Sequence, residues 1–131
     1  MSNIYKHIVR VYYEDTDAGG IVYYANYLKF IERARTEMIY QQLGCNHQKL
    51  KKDFDLIFVV RSCNLKYLKS AKFEDELSIF TKILKKTPVR LNLRQEIKRK
   101  DEVMVIADIE LATIDSKGKI QKISKNLLSM L

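Results

Sequence analysis

Residues 13–27 have the sequence YEDTDAGGIVYYANY, which places three carboxylates, two adjacent glycines and four tyrosines ahead of a long amphipathic segment. The pair Gly19–Gly20 lets the backbone turn tightly and approach a ligand closely. A helix that begins just afterwards presents unpaired N–H groups at its positive end. A carboxylate beside such donors is typical of a nucleophile or base that faces a polarised carbonyl. The stretch therefore predicts a site. The alternative is an acidic turn in which Asp15 and Asp17 only cap the helix.

The segment that follows predicts one long helix, from Asn26 to Leu43. Asn26 is suited to the N-cap and Gly44 to the C-terminal stop. Apolar and amide side chains recur at intervals of three and four residues, as on one helix face, at Tyr27, Phe30, Ile31, Ala34, Met38, Gln41 and Gln42.

The remaining segments predict β-strands, because apolar and β-branched residues alternate between polar turns. The predicted strands cover residues 7–13, 56–68, 76–84, 89–98 and 103–114. Turns are predicted at Thr87–Pro88, at Asp101–Glu102 and at 116–119, and a last helical turn from Ser124. One long helix with consecutive hairpins is an α+β layer arrangement.

Length and composition restrict the class of protein further. A chain of 131 residues corresponds to one domain with its own core. No apolar run is long enough for a membrane span, and the N-terminus lacks an apolar signal core, which favours the cytoplasm. The net charge of +8 attracts anions, but no nucleic-acid-binding motif accompanies it. Cys45 and Cys63 have neither metal nor disulfide spacing and pair with no histidine, so no metal site is predicted.

The residue order resembles the hotdog-fold acyl-CoA thioesterases, of the 4-hydroxybenzoyl-CoA thioesterase type and its bacterial Tol–Pal-associated subgroup. The similar stretches are residues 13–28, ERARTE at 32–37, FVVRS at 58–62 and YLKSAKFEDEL at 67–77. The resemblance implies a five-stranded (or slightly larger) antiparallel sheet wrapped around one central helix. It also implies a homo-oligomer, either a dimer or a dimer of dimers (a homotetramer), with sites between subunits. The substrate would be acyl-CoA, with no separate cofactor, and acyl carrier protein is a further candidate partner.

The resemblance assigns catalysis to Asp17, which matches the family's catalytic aspartate. Its carboxylate would attack the thioester carbonyl or activate water, and the sequence leaves both routes open. Asp15, two residues earlier, is expected to brace the loop by accepting backbone N–H bonds. Tyr24 stands where the family often has histidine. A phenol is a poor base at neutral pH, so the backbone N–H of Tyr24 is the candidate that polarises the thioester oxygen.

Further residues are candidates for substrate binding. Tyr13 would border the acyl pocket, although a buried strand tyrosine is the plainer interpretation. Gly20 would admit the thioester, and Asn26 would cap the helix, fix the Asp17 loop or do both. Basic residues around Thr87–Pro88 would bind coenzyme A phosphates, and a solvated basic turn is the alternative for each of Lys85, Lys86 and Arg90.

Two rival functions share this fold. One is a non-catalytic module that binds acyl thioesters or acyl carrier protein; an intact Asp17 favours the enzyme, and the departure at Tyr24 keeps the module open. The other is a hotdog dehydratase, which relies on a site histidine that this motif lacks.

Overall fold

The computed structural model describes residues 3–131. Five strands form one sheet: β1 (Ile4–Arg10), β2 (Ile57–Tyr67), β3 (Glu76–Thr87), β4 (Arg90–Arg99) and β5 (Glu102–Ile114). Three helices accompany it: α1 (Asn26–Leu43), α2 (His47–Phe54) and α3 (Lys125–Met130). None of the helices within residues 3–131 is both long and apolar enough to cross a membrane.

The sheet has the order β1-β3-β4-β5-β2, and every neighbouring pair is antiparallel. The hairpins β3–β4 and β4–β5 form its centre, and α1 packs against one face to enclose the core. This arrangement confirms the predicted α+β class and the hotdog fold that the resemblance implied. Both β1 and β2 are edge strands. A β-bulge at Arg61, between Val60 and Ser62, shifts the register of β2, and such bulges bend a strand.

Helix α1 has the predicted bounds, and it ends at Gly44, whose φ of 66° is left-handed. The predicted N-cap is wrong, because Ala25 occupies that position and Asn26 is the first helical residue. The predicted stripe is wrong at Gln41, which is exposed. Ile39 is buried instead, alongside the stripe's predicted apolar members.

The structure differs from other predictions too: β3 continues past residue 84 to Thr87, so the turn predicted at Thr87–Pro88 falls at residues 88–89. Strand β1 lies three residues earlier than predicted, since the chain leaves the sheet at Arg10 and forms a 3₁₀ turn over Tyr13–Asp15. The hairpin before β5 turns at residues 100–101, with Lys100 at a φ of 56°, so Glu102 is a strand residue. Helix α2 was not predicted, although its N-cap Asn46 accepts the Lys49 N–H at 2.9 Å.

A buried polar side chain ties α1 to the sheet. Gln95 of β4 has no exposed surface, and its amide nitrogen donates to the Ile31 carbonyl at 2.8 Å and to Thr81 Oγ1 at 3.0 Å. Its oxygen accepts from Arg35 Nη1 at 3.5 Å. Since a buried amide is costly without partners, Gln95 sets the position of α1 and holds Arg35 against the sheet.

Candidate active site

The Asp17 loop is a tight backbone hairpin. The Asp17 N–H donates to the Ile21 carbonyl at 2.9 Å, and the Gly20 N–H donates to the Asp17 carbonyl at 3.0 Å. Thr16 and Val22 pair on either side. Gly20 has a φ of 79°, which L residues rarely adopt, and no heavy atom beyond its two chain neighbours lies within 4 Å of where its Cβ would stand. The loop thus leaves open space at Gly20.

The Asp17 carboxylate is exposed at the edge of this hairpin. Its Oδ1 accepts the Gly19 N–H at 2.8 Å, and a Cβ on residue 19 would lie 3.1 Å from that oxygen. Gly19 therefore permits the short contact that orients the carboxylate. Oδ2 has no hydrogen-bond partner within residues 3–131, so one oxygen is held while the other faces solvent.

Asp15 has the bracing role that the sequence predicts. Its Oδ2 accepts the Tyr12 N–H at 2.8 Å and closes the 3₁₀ turn. Its carbonyl accepts from the Tyr23 N–H and from Asn26 Nδ2, both at 2.9 Å. Asn26 thus fixes this loop to the start of α1, rather than capping the helix.

The turn that leads into α1 offers free donors. The Tyr23 carbonyl accepts the Asn26 N–H at 2.8 Å, which makes Tyr23 the effective start of the turn. The N–H groups of Tyr24 and Ala25 have no acceptor within residues 3–131, as expected at a helix N-terminus. The Tyr24 side chain is 60 % exposed and its ring lies 6.1 Å from that of Tyr67.

The neighbouring segment 71–75 holds the loop in place. The Val22 N–H donates to the Ala71 carbonyl at 2.9 Å, and the Ala71 N–H donates to the Tyr27 hydroxyl at 3.0 Å. Burial raises the pKa of Tyr27, so its hydroxyl stays protonated. Tyr13 is not the buried strand tyrosine of the plainer interpretation, because it lies in the 3₁₀ turn and is 79 % exposed, edge-on to Phe73.

The three basic residues near Pro88 do not meet at one place, although Lys85 and Lys86 both line a cavity of about 220 Å³ that excludes Arg90. Lys86 donates to the carbonyls of Leu128 and Leu131 at 3.0 and 2.8 Å, at the end of α3. Arg90 lies 3.8 Å from Glu110 Oε1. Lys85 is exposed and pairs in register with Asn92. Adjacent strand residues point to opposite faces, so Lys85 and Arg90 share the outer face, and Lys86 does not.

Comparison with known proteins identifies the family. Residues 19–106 match the Thioesterase superfamily. The chain belongs to that superfamily. It is 36 % identical to the acyl-CoA thioesterase YbgC of Haemophilus influenzae, over 95 % of this chain and 90 % of that protein. It is 35 % identical to the acyl-CoA thioester hydrolase YbgC of Escherichia coli O6:H1, covering 98 % and 96 %. The crystal structure of a probable thioesterase from Bartonella henselae has 32 % identity and a TM-score of 0.88, covering 93 % and 100 %.

A groove lies between α1 and β2 of this thioesterase-superfamily chain, and it was not predicted from the sequence. It consists of two cavities of about 390 and 400 Å³ that share Glu32, Arg35 and Val60. Neither cavity is lined by Asp17 or Tyr24, yet the Tyr24–Tyr67 ring contact lies at the end of the same two elements. The stretch ERARTE at residues 32–37 indicates this groove, because it places the cationic Arg35 next to the buried apolar face of α1.

No group of three or more His, Cys, Asp or Glu side chains within residues 3–131 is arranged to hold a metal ion. Cys45, between α1 and α2, and Cys63, in β2, are both free thiols.

Proposed function

We propose that this protein hydrolyses acyl-CoA thioesters to a free acid and coenzyme A. Membership of the thioesterase superfamily and the names of the YbgC relatives support the reaction class. The observation that carries the assignment to residues is the Asp17 loop, because its exposed, oriented carboxylate lies in the segment that Asp15 bonds to Tyr23 and Asn26, on either side of the unpaired N–H groups of Tyr24 and Ala25. Placement in the Tol–Pal-associated subgroup stays a prediction.

Asp17 would supply the carboxylate for the chemistry. As a nucleophile, its free oxygen attacks the thioester carbonyl, the coenzyme A thiolate leaves, and water hydrolyses the resulting mixed anhydride. As a general base, it takes a proton from the attacking water instead. Both routes need an accessible oxygen, which Oδ2 provides.

The backbone N–H of Tyr24 would stabilise the charge that develops on the thioester oxygen. Donors at a helix N-terminus favour an anion, and a fixed donor needs no reorganisation during the reaction. The Ala25 N–H is free in the same turn and would act as a second donor. The Tyr24 phenol has no required role in this scheme, which accommodates the departure from the family's frequent histidine.

The test is a hydrolysis screen over short, long and aromatic acyl-CoAs with thiol detection, comparing the wild type with Asp17→Asn. Loss of a nucleophile or base reduces kcat by about 10³-fold or more, with the fold retained. Asp53→Asn, an exposed α2 residue without an ion pair in the described chain, makes the same charge change as a control. A folded Asp17→Asn protein that keeps most of its kcat would exclude the assignment.

A non-catalytic acyl-thioester or carrier-protein binding module is the second candidate. The Gly19 N–H contact to Asp17 favours it, because the same geometry occurs in structural Asx turns. Acyl-CoA binding by calorimetry without thiol release, across the whole screen, would decide for the module. Running the same series with acyl carrier protein thioesters separates the two carriers.

We further propose a cytoplasmic homo-oligomer, either a dimer or a tetramer. Strand β2 is an unpaired sheet edge with partly exposed Val60 and Tyr67, and such edges favour pairing with another chain. Sedimentation velocity gives the assembly state. A monomer at the concentrations of the assay would contradict the proposal.

A further inference from the structure

The groove between α1 and β2 begins at Leu28, near the start of α1, and runs along the helix. Its first cavity begins at Leu28, four residues after Tyr24, where residues share one helix face. Val60 and Cys63 form the opposite wall, and the second cavity continues to Tyr40 and His47. An acyl chain that leaves a thioester held at the Tyr24 N–H would enter this groove.

A half-buried guanidinium lines both cavities. The single hydrogen bond of the Arg35 side chain within residues 3–131 is the 3.5 Å contact to Gln95 Oε1, and the guanidinium forms no ion pair there. Burial lowers the pKa of Arg35, against the opposing effects of Glu32 and Cys63. A desolvated cation without a counter-ion is costly, so this position is suited to an anion that arrives with a ligand.

The surrounding groups offset the charge of Arg35 only in part, because Glu32 favours the charged guanidinium but forms no ion pair with it within residues 3–131. Glu32 is the one carboxylate that lines either cavity, and its Oε1 accepts from Thr36 at 3.3 Å. Lys29 and Arg33 outnumber it in the first cavity. Burial raises the pKa of the Cys63 thiol, so that group is neutral at pH 7. Burial lowers the pKa of His47, which opposes a second positive charge at the far end.

We propose that Arg35 determines substrate specificity by binding a carboxylate at the distal end of the acyl group, so that the preferred substrates are ω-carboxyacyl-CoA thioesters. The inference rests on the proposed hydrolysis and deepens it. A guanidinium binds a carboxylate through two parallel hydrogen bonds, and a lysine cannot reproduce that geometry.

The helix sets the length of the acyl group. Arg35 is eleven positions after Tyr24, about 16 Å along an axis that rises 1.5 Å per residue. Helical side chains lean towards the N-terminus, which brings the guanidinium closer to the thioester. The preference is therefore expected for acyl groups with several methylenes, and not for the shortest diacids.

The experiment compares acyl-CoAs of increasing length, each as a pair of equal carbon number that ends in methyl or in carboxylate. At the matching length, wild-type kcat/KM for the carboxylate member exceeds that for its methyl partner by about tenfold or more. Arg35→Met removes this ratio by slowing the carboxylate member alone, and Arg35→Lys retains part of it. Arg94→Met, an exposed arginine on the outer sheet face, makes the same charge change and leaves the ratio unaltered.

A purely structural Arg35 gives a different result. If Arg35→Met slows both members equally, or changes only the assembly state, the inference is overturned. A wild type that hydrolyses methyl members with no preference at any length also overturns it, even if Arg35→Met does not fold. If no thioester is hydrolysed, the proposed function fails by itself. Calorimetric binding of each pair to wild type and Arg35→Lys then decides the inference, since equal affinities contradict it.

Discussion

The Asp17 loop and the hairpin at Pro88 both carry candidate site residues, but the structure treats them differently. In the loop, backbone hydrogen bonds between neighbours in sequence fix each group relative to the next, from Asp15 to Asn26. At the hairpin, strand alternation and a β-bulge between Ile83 and Lys85 separate side chains that are close in sequence. Residues that are adjacent in sequence therefore predict which groups lie together where the backbone supplies those groups. They do not predict it where side chains of different strands must converge.

After Asp17→Asn, the largest effect expected within this comparison is at Tyr24. Tyr24→Pro removes the proposed oxyanion donor and should lower kcat by about 10²–10³-fold, whereas Tyr24→Phe should keep most activity. Proline is tolerated in the first turn of a helix, where the N–H has no intrahelical acceptor, so the variant is expected to fold. Steady-state hydrolysis of the best acyl-CoA measures both.

Circular dichroism and sedimentation confirm that the Tyr24→Pro protein is folded before its rate is interpreted. A folded Pro variant with near-wild-type kcat would remove the backbone donor from the mechanism. A dead Phe variant would instead assign the phenol as a proton donor or a substrate anchor.

The sequence predicts the parts of this molecule that depend on local chemistry. Helix α1 has an uninterrupted apolar period and a terminal Gly44, and its bounds were predicted correctly. Asn26 was suited to the N-cap by residue type, but it is the first helical residue, and its amide nitrogen donates to the Asp15 carbonyl. Helix α2 has only eight residues, too few for periodicity to identify. The Gln95–Arg35 contact joins residues sixty positions apart, and only the folded sheet brings these side chains together.

The second effect tests the bracing of the loop. Asp15→Ala loses the acceptor for the Tyr12 N–H and should lower the free energy of unfolding by about 1 kcal/mol. Urea unfolding measures this loss, and Asp15→Asn, which keeps an acceptor oxygen, should recover most of it. Because Asp15 holds the loop through its carbonyl as well, kcat should fall far less than in Asp17→Asn. Abolished hydrolysis in folded Asp15→Asn would show that the carboxylate itself takes part in the chemistry.

The smallest effect separates the three basic residues at the hairpin. Lys85 and Arg90 share the outer face, so the double alanine variant should raise KM for acyl-CoA by about three- to tenfold at low salt with kcat little changed. The Lys51→Ala, Lys52→Ala protein removes the same charge from α2 and should leave KM unaltered.

Lys86→Ala should leave KM unaltered too. It should instead lower the melting temperature by about 1–4 °C, because its ammonium binds the last carbonyls of the chain. A rise in KM for Lys86→Ala that equals the double variant's would place all three in one phosphate site, and the contrast between loop and hairpin would then not hold.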